Sequence, residues 1–251
     1  ALSGVSLANQ IYFILSLLYF GLTSGACVLT AQYWGKKDTR TIEKVMGMSF
    51  RISILAGIVF AAAAFFFPYQ LMRIFTADEA VIAAGVSYLK IVAFSYVLSA
   101  FTNVYLNIIR SIEQVVIATV VYGTSLAANI VLNAIFIFGL FGAPAMGAAG
   151  AALGTLCSRA VEVVIVVFYA VKINHVVKIR FKDWFVKDKA LAKDFFTYAF
   201  PVLLNEIAWG AGMAAISAIV GHLGSSAVAA HSVAQVCRQL SMVIGFGISS
   251  A

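Results

Sequence analysis

The chain has 251 residues, of which 63% are hydrophobic and 11% are charged, and its mean hydropathy is +0.99. A soluble domain carries roughly 45–50% apolar and about 25% charged residues, so this composition excludes a soluble globular protein. The apolar segments are longer than the roughly 20 residues that a helix needs to cross a membrane. The strands of a membrane barrel would instead show segments of ~10 residues in which apolar and polar residues alternate. We therefore predict an all-α integral membrane protein, built as a polytopic helical bundle.

Seven apolar segments are predicted to form the transmembrane helices. They cover residues 3–33, 45–67, 81–109, 115–141, 147–171, 195–220 and 227–251. The first segment is too long for a cleavable signal peptide and lacks a basic leader. Cys27, Cys157 and Cys237 stand on three different segments, so we expect inert packing residues rather than disulfides or a metal site.

The basic residues are distributed unequally between the two sides of the predicted membrane. The loops after the first, third and fifth spans carry twelve of them: Lys36, Lys37, Arg40, Lys44, Arg110, Lys172, Lys178, Arg180, Lys182, Lys187, Lys189 and Lys193. The opposite loops offer Arg73 and His222, with acidic Asp78 and Glu79. By the positive-inside rule the basic loops are cytoplasmic. We interpret the basic run as a topological signal, with contact to anionic lipids as the alternative, and not as a nucleic-acid site.

The first and last segments resemble each other at an offset of 226 residues, with six identities in 25 aligned positions. The identical pairs are Ala1/Ala227, Ser6/Ser232, Ala8/Ala234, Phe20/Phe246, Gly21/Gly247 and Ser24/Ser250, and Asn9/Gln235 is a conservative pair. Six spans separate the two copies, so both have the same orientation in the membrane. This is the pattern of a parallel transporter repeat, whose axis lies along the membrane normal.

Two spans carry polar stripes on one helical face. On the fourth span, Ser125, Asn129 and Asn133 are four residues apart and lie near the middle of the membrane. The third span has a similar stripe, with Asn103 and Asn107 at its end. Because buried polar groups in hydrocarbon need partners, such stripes indicate either a transport site or hydrogen bonds that join helices. Both interpretations stay open for the third span, and two amides in one stripe favour function for the fourth.

The glycines that open the fifth span, Gly147, Gly150 and Gly154, predict a closely packed helix pair, which would hold Thr155 near the fourth span. Arg159 and Glu162 are three residues apart and predict a structural ion pair.

The sixth and last spans place ionisable groups within the membrane. Glu206 follows Pro201 and lies about 16 Å past the start of its span. His231, Gln235 and Arg238 fall on one face of the last span, and Arg238 has a depth similar to that of Glu206. The hypothesis is a Glu206 that binds a proton or cation, with Arg238 or His231 nearby, and its alternative is a static salt bridge.

No catalytic motif accompanies these residues. The segments 25–38, 132–155, 200–212 and 223–235 resemble the multidrug and toxic compound extrusion (MATE) transporters, and the match at 132–155 is the most specific. The resemblance implies a chain that holds helices two to eight of the family's twelve, in truncated form. It also implies an amino-terminal lobe at residues 1–171, a basic inter-lobe loop at 172–194 and the start of a carboxy-terminal lobe at 195–251.

Such transporters exchange Na⁺ or H⁺ for organic, often cationic, compounds by alternating access, without another cofactor. The resemblance implies that Asn129, Asn133 and Thr155 bind the coupling ion in one lobe and Glu206 in the other. Many family members have an aspartate where this sequence has Asn133. Residues expected to line the substrate cavity are Asn103, Asn107, Ser125, Trp209, His231, Gln235 and Arg238.

The expected partners are a small-molecule drug or organic cation and the lipid bilayer of the cell membrane, with a monomer when the protein is full length. Three alternatives remain. A lipid-linked oligosaccharide flippase would need basic residues in the cavity, for which Lys90, Arg159 and Arg238 are candidates. An intramembrane enzyme would need a catalytic pair, for which Glu206 and His231 are candidates. The third alternative is a membrane module that does not itself transport.

Overall fold

The computed structural model describes residues 2–142, 144–174, 176–185 and 188–249, and within these ranges it contains eight α-helices and no β-strand. The helices are α1 (Leu2–Gly35), α2 (Thr39–Phe66), α3 (Pro68–Phe75), α4 (Glu79–Ser111), α5 (Val116–Phe138), α6 (Ala148–Lys172), α7 (Lys189–His222) and α8 (Ser225–Ser249). Short 3₁₀ turns occur at Leu140–Gly142 and Phe181–Phe185. The predicted all-α bundle is confirmed. The predictions made for Ala1, Lys187 and Ser250 lie outside the described residues.

Six of the described helices, namely α1, α2, α4, α5, α6 and α7, are long and apolar enough to cross a membrane. Each coincides with one predicted span, and the seventh predicted span forms α8, which is not among the six. The protein is therefore a multi-pass membrane protein. Helix α2 begins six residues before its predicted start because Asp38 caps it, with its Oδ1 accepting a hydrogen bond from the Thr41 amide at 3.0 Å.

Helix α3 is an element that the hydropathy pattern does not reveal. It follows α2 after a single residue and begins with Pro68 in its first turn, where a missing amide proton is harmless. Pro68, Met72 and Phe75 are buried, while Tyr69 and Arg73 are exposed. Met72 packs directly on Gly85 of α4, where a side chain would collide with its thioether. We call the end of the bundle that carries α3 the opposite end, and the end that carries residues 36–38 and 176–185 the basic end.

Helix α1 is the centre of the bundle, with α2, α4 and α7 packed around it. It runs antiparallel to α7, and two glycines of α1 allow the two backbones to approach closely. Gly21 abuts Leu203 and Gly25 abuts Ala199, so that an added methyl group at either glycine would meet the backbone of α7. Small residues at such contacts are the usual device for packing helices in a membrane.

The predicted inter-lobe loop is anchored rather than free along the part that the structure describes. Arg40 of α2 donates two hydrogen bonds to Asp183, both at 2.6 Å, and Arg180 lies 3.2 Å from the Glu43 carboxylate. The amide of Lys178 also donates to Glu43 at 3.0 Å. The carboxylates of Glu43 and Asp183 are buried, so each needs these partners. The segment therefore binds to the basic end of α2, which the charge pattern alone did not predict.

One contact agrees with the predicted internal repeat. The hydroxyl oxygens of Ser6 and Ser232 lie 2.7 Å apart, and these residues occupy equivalent positions at the offset of 226. The contact joins α1 to α8 at this pair of positions, and the parallel repeat itself stays a prediction.

Candidate ion and substrate site

Helices α5 and α6 approach each other through the predicted glycines of α6. A side chain at Gly150 would collide with the carbonyl of Phe136, and one at Gly154 would collide with the amide oxygen of Asn133. Gly147 instead serves the turn before α6, where its φ of 55° is unfavourable for other residues. The close packing is therefore confirmed for Gly150 and Gly154 but not for Gly147, and it sets the polar stripe of α5 against α6.

The predicted stripe forms a hydrogen-bonded chain across the two helices. The Asn133 amide donates to Asn129 Oδ1 at 2.9 Å, and the Asn129 amide donates to Ser158 Oγ at 3.2 Å. Ser158 in turn donates to the backbone carbonyl of Thr155 at 2.8 Å. The Thr155 hydroxyl donates to the carbonyl of Ala151 at 2.9 Å. Asn129, Asn133 and Thr155 are thus brought together as predicted, with Ser158 as an additional member.

Asn133 Oδ1 is the unusual atom of this chain. It is buried, and it accepts no hydrogen bond within the described part of the chain. An unpaired buried carbonyl oxygen costs about 1–3 kcal/mol, and this one is packed against Gly154 of α6. Side-chain carbonyl and hydroxyl oxygens are suitable ligands for a hard cation.

A further polar pair adjoins Thr155 through the Tyr88 hydroxyl. The Tyr88 hydroxyl on α4 lies next to the Thr155 side chain and donates to Asn9 Oδ1 of α1 at 3.0 Å. Sequence reasoning did not select these residues. The signal was present, because Tyr88 lies two turns before Tyr96 on the polar face of α4, and Asn9 is the partner of Gln235 in the repeat.

The other predicted polar residues of α4 and α5 are positioned differently. The Asn103 amide donates to the carbonyl of Ser99, and the Asn107 amide donates to the carbonyl of Asn103, each at 2.8 Å. Both bonds return to α4 itself, so they do not join helices. Ser125 is buried one turn before Asn129. The assignment of Asn103, Asn107 and Ser125 to a substrate cavity stays a prediction.

The predicted ion pair of α6 forms, with Arg159 Nη1 at 2.7 Å from Glu162 Oε1. Glu162 is 1% exposed, and its second oxygen accepts a hydrogen bond from Thr102 at 3.3 Å. The Arg159 guanidinium also lies 5.8 Å from the ring centroid of Tyr12, a cation–π contact. Arg159 is therefore neutralised by the protein itself.

Glu206 lies on the side of α7 that packs against α1. It is three residues after Leu203, which abuts Gly21, and four before Gly210, which abuts Leu17. Its side chain is half-buried, and among the described residues it makes no hydrogen bond and no ion pair. Trp209 is half-exposed, and its ring centroid lies 5.7 Å from that of Phe13 on α1.

The salt bridge between α7 and α8, which was the alternative hypothesis for Glu206, is absent from the described part of the structure. Arg238 donates to Gln235 at 2.6 Å, and Gln235 contacts the His231 ring at 3.1 Å, so the three residues bind to one another along α8. Neither Arg238 nor His231 pairs with Glu206. Equal depth determines only height in the membrane, whereas pairing also requires that the two helix faces meet. The described residues therefore contain neither the static salt bridge that was the alternative for Glu206 nor a contact of Glu206 with His231, and the roles of these residues stay predictions.

The MatE family model matches residues 1–135 of the chain. A probable multidrug resistance protein YoeA of Bacillus subtilis is 25% identical over 253 residues, which cover 99% of this chain and 55% of that protein. A probable multidrug resistance protein NorM of Thermotoga maritima is 26% identical, and the match covers 54% of that protein. The chain therefore spans about half the length of the curated relatives it matches.

Solved structures agree at the level of the fold. The MATE multidrug transporter DinF-BH superposes with a TM-score of 0.89 at 22% identity, covering 99% of this chain and 55% of that chain. An outward-facing MATE family transporter of the MOP superfamily superposes with a TM-score of 0.82 at 23% identity, covering 99% of this chain and 55% of that chain. These relatives are described as resistance proteins or transporters and not as enzymes.

Proposed function

Because the chain belongs to the MatE family, we propose that this protein works as a secondary active multidrug antiporter that exchanges Na⁺ or H⁺ for organic, often cationic, compounds. The exchange proceeds by alternating access in the cell membrane, with the basic end in the cytoplasm. The observation that carries the proposal is Glu206, a half-buried carboxylate at the contact of α7 with α1. An ionisable group within a membrane helix is costly, so its presence indicates an ion or substrate pathway.

The position of Glu206 suggests how ion binding is coupled to movement. A charged carboxylate at the α1–α7 contact opposes dehydration, whereas a protonated or Na⁺-bound one is tolerated there. Binding the ion would therefore favour close packing of α7 against α1, and releasing it would favour a looser arrangement. Because α1 belongs to the amino-terminal lobe and α7 to the carboxy-terminal lobe, this equilibrium would alternate the access of the cavity between them.

The chain of Asn129, Asn133 and Thr155 provides the second part of the proposed site. It supplies oxygen atoms but no carboxylate, so it would bind a cation more weakly than a site that contains an aspartate. We expect the unpaired Asn133 oxygen to be a ligand or an acceptor there. Of the basic residues that a flippase would need, Arg159 is already paired with Glu162, which supports drug efflux over transport of a pyrophosphate lipid.

The test is Glu206→Gln in the full-length protein, reconstituted into vesicles loaded with a fluorescent organic cation. We expect efflux driven by a Na⁺ or H⁺ gradient to be lost, while insertion into the membrane is unchanged, because glutamine cannot change its charge. The matched control is Glu113→Gln, which removes a carboxylate from the loop between α4 and α5. Undiminished gradient-driven efflux by Glu206→Gln would contradict the proposal.

A further inference from the structure

A second cavity, separate from the polar stripe, lies between α1, α2, α3 and α7. Its volume is about 460 Å³, which falls within the range of ligand pockets. All eleven lining residues are apolar, among them Ile11, Val59, Leu71 and Ala215, one from each helix. An apolar cavity of this kind gives water no hydrogen-bonding partners and stays dry. A hydrocarbon group is therefore the occupant whose chemistry this lining fits.

The cavity opens at the surface of the bundle near the opposite end. Val59 and Ile74, which line it, are 58% and 59% exposed, and so are also accessible to a hydrocarbon group from outside. Phe66 and Phe67, at the junction of α2 and α3, are 70% and 57% exposed beside it. In a membrane protein, exposed apolar surface of this kind is suited to contact with lipid chains.

Helix α3 carries a cation beside this opening. Arg73 directly precedes Ile74 and is exposed, and it makes no ion pair among the described residues. The acidic residues nearby have other partners. Asp78 accepts hydrogen bonds from the first amides of α4, and Glu79 accepts one from the Tyr69 hydroxyl at 2.9 Å. Exposed tyrosine and arginine side chains on a short amphipathic helix are typical of the boundary between lipid and water.

We propose that this cavity binds one acyl chain of a phospholipid, whose phosphate is held by Arg73. The phosphate matches the charge of the guanidinium, which can donate two hydrogen bonds to it. The acyl chain of the lipid would enter between Val59 and Ile74 and extend between α2 and α7. The site is independent of the ion site, and it does not rest on the protein being an efflux pump.

The proposal is tested by photo-crosslinking the full-length protein in nanodiscs that contain a phosphatidylglycerol with a diazirine on one acyl chain. We expect crosslinks in the peptides that contain Ile11, Leu71 and Ala215. Ala215→Trp fills the cavity and should lower the crosslinking of the Ile11 and Leu71 peptides several-fold. Ala211→Trp, at an exposed position one turn earlier on α7 that does not line the cavity, should leave it unchanged. Ala215→Leu provides a milder version if the tryptophan impairs folding.

The phosphate contact is tested separately with Arg73→Gln, which should also lower the crosslinking several-fold. Arg51→Gln removes another exposed arginine, on α2, and serves as its control. Crosslinking that is unaffected by Ala215→Trp, or that never reaches the cavity peptides because a drug or another part of the protein fills it, would overturn the acyl-chain assignment. Equal crosslinking by a diazirine fatty alcohol, with no effect of Arg73→Gln, would overturn the phosphate assignment. Because the readout is binding, it is unaffected by whether Glu206→Gln abolishes efflux.

Discussion

Asn129 and Asn133 have the same chemistry and lie one turn apart, yet their replacement by leucine should have different effects on stability. Leucine has the same number of side-chain heavy atoms and the same branching as asparagine. Asn129 accepts one hydrogen bond and donates another, to Ser158. Each bond contributes about 0.6 kcal/mol in a membrane bundle, and the Asn133 amide left without a partner costs about 1–3 kcal/mol. We therefore expect Asn129→Leu to destabilise the chain by about 2–4 kcal/mol.

Asn133→Leu removes only one of these bonds and leaves Asn129 Oδ1 unpaired. It also removes the buried Asn133 Oδ1, which is already unpaired. The second change offsets the first, so the net cost should be only about 0.6 kcal/mol. The free energy of unfolding of the 251-residue chain can be measured by denaturant titration in mixed micelles, followed by tryptophan fluorescence. Equal destabilisation by both substitutions would refute the reasoning, because it would mean that Asn133 Oδ1 has a partner.

Three further predictions concern packing, the inter-lobe segment and pH. Gly154→Ala should cost about 1–3 kcal/mol in unfolding titrations, because its methyl group has no room against α5, whereas Gly123→Ala, which faces open space, should be neutral or slightly stabilising. Asp183→Asn should raise the rate of amide hydrogen exchange over residues 176–185 several-fold, because one buried carboxylate of the inter-lobe contact is lost, and Asp194→Asn, at an exposed position, should not. The pKa of Asp38 is lowered by its hydrogen bonds to the start of α2, so the folded state holds this proton less tightly than the unfolded state does. The stabilisation is therefore present above the ordinary aspartate pKa of about 3.9 and is lost as pH falls through the lower pKa of the folded state. Faster amide hydrogen exchange in the first turn of α2 at that pH would verify this prediction. Amide exchange that does not change with pH would contradict it.

The six membrane helices and their order were predictable from sequence because every backbone hydrogen bond of a membrane helix lies within its own segment. Length and hydropathy then suffice, and neither depends on distant residues. The glycine contact of α6 and the ion pair between Arg159 and Glu162 were predictable for the same reason, since their spacing along one helix is local. The internal repeat was also inferred from the sequence alone, and the contact of Ser6 with Ser232 agrees with it.

Tertiary structure alone decided which helix faces meet. It turned Glu206 toward α1 and left Arg238 with Gln235, although the sequence places the two charged residues at similar depths. It added Ser158 and Tyr88 to the polar stripe. Partners on different helices depend on how each helix is rotated about its axis, and the periodicity of one helix does not specify the rotation of its neighbours. It also anchored the inter-lobe segment to α2 and folded α3 beside a cavity. A short helix and a docked loop depend on distant contacts for their stability, so neither has a local signal of its own.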